Sequence, residues 1–257
     1  MLTNNTLQRF EKRRLWAIEY AILDYELASD VIIEKALARQ SYAVFALPVH
    51  GLITAIQDQA MQQAVQKADM ITPDGQPIRW ALNSFYKVGL KDRVYGPLLT
   101  LKVLEKANPL GLRIYLYGGN TEETLQKFQA FIQKNFPNIQ ICGAFREEKP
   151  TDNLIDIEAL KATRPHIVLV GRGCPTQEIW VASQKGNIPA VMMAVGAAFA
   201  FHAGTIAQAP IWMQKMGLEW LFRLIQEPKR LWKRYLTTNS YFIYLFIKHR
   251  FFLRRPY

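Results

Sequence analysis

The stretch HIVLVGRGCPTQEIW at residues 166–180 contains the features that decide the fold. Residues 166–170 form an apolar, β-branched run that is typical of a buried strand. The glycines and the proline at 171–175 indicate a tight turn, and a helical pattern covers residues 176–185. A buried strand followed by a short turn and a helix is the repeating unit of parallel α/β folds.

Comparable units extend outward from this stretch. Strand-like runs cover residues 18–23, 42–47, 70–72, 113–117, 139–145, 166–170 and 190–195, and helical patterns cover 51–68, 121–135, 153–163 and 176–185. This alternation predicts an α/β fold in which a Rossmann-like, largely parallel sheet is flanked by helices.

The pattern changes after Gly196. Consecutive helical patterns, without intervening strands, cover residues 210–216, 218–226, 228–236 and 240–253. Pro210 and Pro228 suit the first turn of a helix, where a missing N–H costs little. We therefore predict a Rossmann-like α/β core over residues 1–196 and an all-helical C-terminal appendage over residues 197–257.

The composition and the cysteines limit the class of protein. The 257 residues are 50% hydrophobic, which is enough for a buried core. Cys142 and Cys174 form no CxxC pair, which favours a reducing compartment over a disulfide framework. The N-terminus is polar and charged, and the chain has no run of 18 apolar residues. We therefore expect a cytoplasmic protein without a signal peptide or a membrane span.

The positive charge is concentrated at the C-terminal end. Of the formal net charge of +11, +8 follows Glu227, where eight Lys and Arg residues are interleaved with aromatic and leucine side chains. This mixture indicates that the segment binds an anionic membrane surface, with the protein attached peripherally to the inner face of the plasma membrane. One alternative is a docked helix with solvated charges. The other is a nucleic-acid surface, but no RNP-like or helix-turn-helix signature supports it, and we expect no nucleic-acid partner.

Two predicted strand ends carry glycine-rich turns, in YGGN at 117–120 and VGRGCP at 170–175. Ligands of open α/β sheets bind at such ends, where glycine admits a phosphate and the next helix offers free N–H groups. Neither turn is a GxGxxG or a P-loop sequence, so tight turns without a ligand are an equal alternative. The candidate residues are Gly118, Gly119, Gly171, Arg172 and Gly173.

Three polar side chains occupy predicted strand-to-helix junctions. Gln177 and Glu178 could bind ribose or sugar hydroxyls, or Glu178 could only complement the helix dipole. Asp74, in TPDG, could act as a general base if apolar surroundings raise its pKa. The alternative for Asp74 is a turn or helix-capping role, for which Asp before Gly is common.

Metal-binding patterns are absent from the sequence. The chain has no Asp-x-Asp pair of the kind that holds a divalent metal on a nucleotide diphosphate, and no histidine pair at ligand spacing. We therefore predict neither a metal nor another cofactor.

The motifs occur in a characteristic order. PVHGL at 48–52, ADMITPDGQPIRW at 68–80 and RVYGP at 93–97 precede YLYGGN at 115–120 and GRGCPTQEIW at 171–180. AVGAAFAFHAG at 194–204 and QAPIWMQKMGLEWLFRLIQEPKRLWKRY at 208–235 follow. In this order and spacing, over roughly residues 40–237, the chain resembles the WecG/TagA/CpsF glycosyltransferase family, the N-acetylmannosamine or N-acetylmannosaminuronic acid transferase type.

The resemblance implies transfer of a sugar from a UDP-sugar to a polyprenyl-diphosphate-linked sugar acceptor in cell-surface polysaccharide biosynthesis. It also implies inversion at the anomeric carbon, no required metal, and a helical appendage that helps membrane docking. It does not determine whether the protein forms a homo-oligomer.

The resemblance also assigns roles to individual residues. Asp74 matches the family's proposed general base, and Arg93 matches an arginine that could stabilise the leaving diphosphate. Gln177 matches a glutamine near the bound nucleotide, in the loop shaped by Gly171 and Gly173. His50 of PVHGL and Glu178 complete the substrate-binding candidates. The candidates for membrane or acceptor contact are Arg223, Arg230 and Arg234.

Four positions depart from the family pattern. Asp, Lys and Asp are usual where this chain has Ala200, Thr176 and Leu98, and an apolar residue is common at Arg172. We hypothesise that Arg172 offsets the charge missing at Thr176. Two interpretations follow: an active transferase with altered donor preference, or a catalytically degenerate member that acts as a peripheral-membrane binding or scaffold protein. The matched base, arginine and glutamine are all present, which favours activity.

Overall fold

The structure is a computed structural model that describes residues 10–149 and 155–253, apart from the side chains of Ile211, Lys215 and Arg230. The predicted helix start at 153–154 and the basic residues at 254–255 lie outside the described residues. The strands are β1 Glu11–Leu15, β2 Ile18–Ile22, β3 Tyr42–Leu47, β4 Met70–Pro73, β5 Arg113–Gly118, β6 Gln140–Phe145, β7 Ile167–Gly171 and β8 Val191–Ala194. The helices are α1 Tyr25–Leu37, α2 Val49–Gln57, α3 Gln59–Lys67, α4 Gln76–Tyr86, α5 Gly96–Ala107, α6 Glu122–Asn135, α7 Ile157–Ala162, α8 Thr176–Gln184, α9 Ala198–His202, α10 Ile211–Lys215, α11 Glu219–Gln226 and α12 Pro228–Ile247, followed by a π-helical segment, Lys248–Leu253.

Six strands form one parallel sheet in the order β4-β3-β8-β7-β5-β6. Side chains alternate between its two faces: Ala43, Phe45 and Leu47 of β3 join one hydrophobic cluster, whereas Tyr42 and Val44 join the other. A sheet that is buried on both faces explains why the strands read as continuous apolar runs. The predicted α/β fold with a parallel sheet is confirmed.

Helices cover both faces of the sheet. Helices α1, α5, α6 and α9 pack on one face, and α2, α3, α8 and α12 pack on the other. Helix α6 shows how the sequence specifies this layer. The Thr121 hydroxyl caps its first turn by accepting from the N–H of Thr124, and Leu125, Phe128 and Ile132 are buried along one side.

The predicted strand at 18–23 is present as β2, but it lies outside the parallel sheet. It pairs antiparallel with β1, a strand that the sequence reading missed, in a two-stranded sheet. The reason is local, because Trp16 adopts φ +50° and the chain reverses within two residues, so that Leu15 faces Ile18. The hairpin packs beside β4, and the Tyr20 hydroxyl donates to the carbonyl of Leu47.

Two predicted helix boundaries are wrong. The pattern at 51–68 is two helices, because Asp58 has an extended backbone and its carboxylate caps α3 by accepting from the N–H of Met61. Conversely, the helices predicted at 228–236 and 240–253 form one helix, α12, with its π-helical extension. The hydroxyls of Thr237 and Thr238 donate to carbonyls of the preceding turn, so these residues fit the helix.

The C-terminal helices lie against the core. Helix α9 packs with α5 and α6 inside the core layer, while α12 packs on α2. Gly217, between α10 and α11, approaches so closely that a Cβ there would lie 2.7 Å from the Trp80 ring of α4. The division of the chain at residue 196 stays a prediction.

Candidate active site

A cavity of about 890 Å³ lies between the carboxyl edge of the parallel sheet and the appendage helices α11 and α12. This is the edge at which open α/β sheets bind ligands. Its polar lining from the sheet side comprises His50, Asp74, Gln76, Arg93, Tyr95, Asn120, Cys174, Gln177 and Glu178, with the backbone of Gly173 and Gly196. Its lining from the appendage comprises Glu219, Trp220, Arg223, Leu224, Trp232, Arg234, Tyr235, Leu236, Thr238, Asn239, Ser240, Phe242, Ile243 and Phe246 together with Gly217 before α11.

Among the helices that begin at this cavity, α2, α4, α5 and α8 have no capping side chain at their N-cap residue. These N-cap residues are Pro48 of α2, Gly75 of α4, Tyr95 of α5 and Pro175 of α8. By contrast, α1, α3, α6 and α7 are each capped by an Asp or Thr side chain. Uncapped helix starts offer backbone N–H groups and the positive end of the helix dipole, which suits an anionic ligand.

Asp74 follows β4 and lines the cavity. Its Oδ2 accepts a hydrogen bond of 3.2 Å from the N–H of Gly96, the first residue of α5. Burial raises the pKa of Asp74 to about 7, against the lowering effect of Arg93, and Glu219 raises it further. A carboxyl group with this pKa can accept a proton at neutral pH, as a general base must.

Arg93 is buried beside Asp74 and connects the core to the appendage. Its guanidinium forms an ion pair with Glu219 of α11, lies 3.4 Å from Oε1 of Gln214, and stacks 4.3 Å from the centre of the Tyr95 ring. Asp74, Arg93 and Glu219 therefore form one group of alternating charges. A ligand that binds Arg93 must either displace Glu219 from the guanidinium or contact both side chains.

Gln177 and Glu178 form a second polar group on α8. Oε1 of Gln177 accepts from the N–H groups of Gly173 and Gly196, both at 3.2 Å, and so joins the loops after β7 and β8. Nε2 of Gln177 donates to Oε1 of Glu178 at 2.7 Å. Burial raises the pKa of Glu178 to about 7. The loops and the carboxyl group are thus fixed relative to each other.

His50 lies on α2 and lines the same cavity. Burial, reinforced by the charge of Arg234, lowers the pKa of His50 to about 4, so the imidazole is neutral at pH 7. Its Nδ1 is buried without a hydrogen-bond partner among the described residues. A neutral imidazole of this kind can bind an uncharged polar ligand group.

The two glycine-rich turns are not equivalent. Gly173 lines the cavity at φ +83°, and a Cβ there would meet open space. Gly118 and Gly171 instead serve close packing, because a Cβ at Gly118 would lie 2.4 Å from the carbonyl oxygen of Gly171, and one at Gly171 would lie 2.7 Å from the Phe199 ring. Gly119 donates its N–H to Gly171 and, like these two, does not line the cavity.

Arg172 also does not line the cavity. Its buried guanidinium forms an ion pair with the buried carboxylate of Glu147 and stacks 4.9 Å from the centre of the Tyr117 ring. The Tyr117 hydroxyl donates to the same carboxylate. Arg172 therefore holds the ends of β5, β6 and β7 together in this structure.

The remaining sequence candidates differ in whether they line the cavity. Arg223 and Arg234 line it, whereas the side chain of Arg230 lies outside the described residues. Ala200 is buried in α9 and Leu98 is exposed on α5, and neither lines the cavity. Thr176 is the first residue of α8, next to Gln177.

Sequence reasoning did not assign Tyr95, Gly96, Trp80 and Glu219 to the site. The RVYGP motif contained Tyr95 and Gly96, whose roles depend on backbone and ring contacts rather than on chemistry that a motif displays. Glu219 belonged to the GLEW motif, but its partner Arg93 is 126 residues away in the chain. Only the packing of the appendage shows that they meet.

Among the described residues, no group of three or more His, Cys, Asp or Glu side chains could hold a metal ion. Within the same residues, no helix has the length and apolar character needed to cross a membrane. The prediction that the reaction needs no metal stays a prediction.

A cavity at the carboxyl edge of a parallel α/β sheet, lined by a buried carboxyl group and arginines, is the arrangement in which folds of this class place a ligand site. Residues 13–256 match the model of the Glycosyl transferase WecG/TagA/CpsF family. The chain belongs to this family and is a glycosyltransferase.

Two curated relatives are similar over most of the chain. The N-acetylglucosaminyldiphosphoundecaprenol N-acetyl-beta-D-mannosaminyltransferase of Bacillus subtilis (strain 168) is 29% identical over 188 residues, which cover 73% of this chain and 72% of that protein. The protein of the same name from Bacillus spizizenii (strain ATCC 23059 / NRRL B-14472 / W23) is 27% identical over 242 residues, which cover 91% of each chain.

Proposed function

We propose that the protein transfers an N-acetylhexosamine-type or uronic-acid sugar from a UDP donor to a polyprenyl-diphosphate-linked sugar, with inversion, in cell-surface polysaccharide biosynthesis. The names of both relatives describe a mannosaminyl transfer to such an acceptor, N-acetylglucosaminyldiphosphoundecaprenol. The observation that carries the proposal is the carboxyl group of Asp74, which has a pKa of about 7 and lies beside Arg93 in the cavity.

In the proposed step, the acceptor hydroxyl oxygen attacks the anomeric carbon from the side opposite the diphosphate. A new C–O bond forms as the bond to the diphosphate oxygen breaks, and UDP leaves with the bonding electrons. The hydroxyl proton passes to Asp74, which is a suitable acceptor because its pKa is close to neutral. A single displacement of this kind inverts the configuration at carbon.

The charge that develops on UDP needs stabilisation. The uncapped starts of α2 and α4 supply backbone N–H groups, and Arg93 and Arg223 supply positive charge in the same cavity. Preorganised donors and cations of this kind are a large part of catalysis in buried sites. They support a mechanism in which protein groups alone stabilise the leaving diphosphate.

The appendage supports attachment to an anionic membrane surface on the cytoplasmic side. Of the sixteen large hydrophobic side chains that are exposed among the described residues, twelve lie within 211–253. Phe251 and Phe252 are the most exposed of these aromatics, at 70% and 78%. Basic residues interleaved with such side chains fit the headgroup region of a bilayer, where a lipid-linked acceptor would be met.

Transfer is tested with purified protein, a panel of UDP-sugars and a lipid-linked N-acetylglucosamine acceptor, by following UDP release and product mass. We expect turnover with one donor, and its loss in Asp74→Asn. Asp30→Asn, which changes an exposed carboxylate on α1, is the matched control and should retain activity. Tight UDP binding without turnover would instead support the catalytically degenerate alternative.

Membrane attachment is tested separately by flotation with vesicles that contain anionic lipid. Removal of residues 238–257 would also remove Phe242 and Leu245, which are buried in the core. The double substitution of Phe251 and Phe252 to Ser is therefore the better variant, and it should float less than the wild type. Unchanged flotation would contradict the assignment of this surface.

A further inference from the structure

The Glu178 side of the cavity has features that proton transfer and diphosphate binding do not use. Glu178 is completely buried; its Oε1 accepts from the amide of Gln177, and the thiol of Cys174 lies within hydrogen-bonding reach of the carboxyl group. Its Oε2 is buried and has no hydrogen-bond partner of ordinary geometry among the described residues. A buried polar atom without a partner is costly, which indicates that a ligand or a water completes the site.

His50 presents a second atom of this kind on the same cavity. Its Nδ1 is buried and has no hydrogen-bond partner among the described residues. The thiol of Cys174 connects the two positions, because it lies within hydrogen-bonding reach of Glu178 and of Thr54. Thr54 is one turn along α2 from His50 and donates its hydroxyl to the His50 carbonyl.

The chemistry at Glu178 favours an uncharged polar group, because no charged side chain in the described part of the chain acts on its pKa, whereas the charge of Arg234 reaches His50 and Cys174. A phosphate would face the Glu178 carboxyl group, which forms no ion pair with an arginine or lysine among the described residues. A hydroxyl group both donates and accepts, so it can satisfy a carboxyl oxygen and an imidazole nitrogen in either tautomer. Sugar rings present such hydroxyls beside the diphosphate of a nucleotide sugar and beside that of a lipid-linked acceptor.

We propose that Glu178 and His50 form a subsite that binds a hydroxyl group of a sugar ring, separate from the Asp74–Arg93 group. The proposal rests on the proposed sugar transfer, and it adds which residues select the sugar. Gln177 acts here as a positioning residue, because its amide joins Glu178 to the backbone N–H groups of Gly173 and Gly196. The ring belongs either to the donor or to the acceptor.

Substitution tests this subsite through binding and kinetics. Glu178→Gln keeps the size of the side chain, and His50→Ala is a second variant at a partly exposed residue, so that misfolding of one does not end the test. We expect each variant to bind UDP alone within about threefold of the wild type, and to weaken either donor binding or acceptor KM by about 10- to 100-fold. Which of the two substrates is affected identifies the ring. Glu158→Gln, an exposed carboxyl on α7, is the control.

A sharper test pairs the variants with deoxy sugars. The wild type should lose about 10- to 100-fold in kcat/KM when the bound hydroxyl is missing from the substrate, and Glu178→Gln should lose less than threefold for the same change. Equal losses in both proteins for every deoxy analogue would overturn the subsite.

Failure of the proposed transfer is distinguishable from failure of the subsite. If the wild type shows no turnover, calorimetry with UDP, UDP-sugars and methyl N-acetylglucosaminide still measures whether Glu178→Gln weakens a sugar-bearing ligand and spares UDP. A crystal structure with that glycoside would then place a sugar hydroxyl at Oε2 of Glu178. If that structure shows ordered water but no sugar hydroxyl at this atom, and if binding of the sugar-bearing ligands is unchanged in Glu178→Gln, the proposal is refuted.

Discussion

The two ends of the cavity each carry a carboxyl group whose pKa is raised to about 7, but their surroundings differ. Burial is the largest cause at both positions. At Asp74 the charges of Arg93, Glu219 and Arg223 also act, with both signs. At Glu178 the neighbours are the amide of Gln177 and a thiol. Similar pKa values thus arise in a charged environment that suits an anionic leaving group and in an uncharged one that suits a hydroxyl group.

The largest expected effect is on kcat, and it should appear when the carboxyl-to-amide substitution is made at the Asp74 end of the cavity but not at the Glu178 end. Asp74→Asn should lower kcat by about 10²- to 10⁴-fold, because it removes the proton acceptor while UDP binding is retained. Glu178→Gln should act mainly on KM or on the binding of one substrate. Steady-state kinetics with both substrates varied measures the difference. A similar loss of kcat in both variants would break the comparison.

Arg93→Ala is expected to have the next largest effect. It removes one stabilising group for the leaving diphosphate, so kcat/KM should fall by about 10²- to 10³-fold. Since Arg93 lowers the pKa of Asp74, its loss should also displace the rising limb of the pH–rate profile to higher pH. Arg14→Ala, at an exposed arginine on β1, is the control. An unchanged pH profile would contradict the pairing of Arg93 with Asp74.

Glu219→Gln should have a smaller effect, on the pH–rate profile, and it tests whether charge acts only at the Asp74 end of the cavity. The charge of Glu219 raises the pKa of Asp74, so its removal should lower that pKa and move the rising limb of the pH–rate profile to lower pH. The rate at the plateau should change only a few-fold, because Arg93 stays in place. The pH dependence of binding for the substrate that Glu178→Gln weakens should not move. A shift in the opposite direction would show that Glu219 acts on Asp74 through position rather than charge.

The sequence was sufficient to predict the parallel sheet and the position of Asp74 at a strand end. Buried strands followed by turns and helices are local patterns, and they survive in the structure from Tyr42–Leu47 to Val191–Ala194. The local exceptions have local causes that carry no clear signal, such as the positive φ of Trp16 that folds β1 onto β2.

The site was less predictable because its contacts connect distant parts of the chain. Arg93 meets Glu219, and Gly118 requires glycine because of Gly171 on a neighbouring strand. A glycine that admits a ligand and a glycine that admits another strand look the same in one sequence. The different roles of Gly173 and Gly118 can be recognised only when the surrounding backbone is known.

Stability should respond to the same two carboxyl groups without any substrate. Each binds more protons in the folded state than in the unfolded one between its ordinary pKa, 3.8 for Asp74 and 4.5 for Glu178, and about 7. The stabilisation from each group is complete below the unfolded pKa and is lost as pH rises through the folded pKa, by up to about 1.4 kcal/mol per pH unit. Asp74→Asn and Glu178→Gln remove this titration. The melting temperature of each variant minus that of the wild type should therefore increase as the pH rises from 5 to 8. Thermal melts that include Asp30→Asn as an exposed control measure this, and a difference that does not depend on pH would show that burial does not set these pKa values.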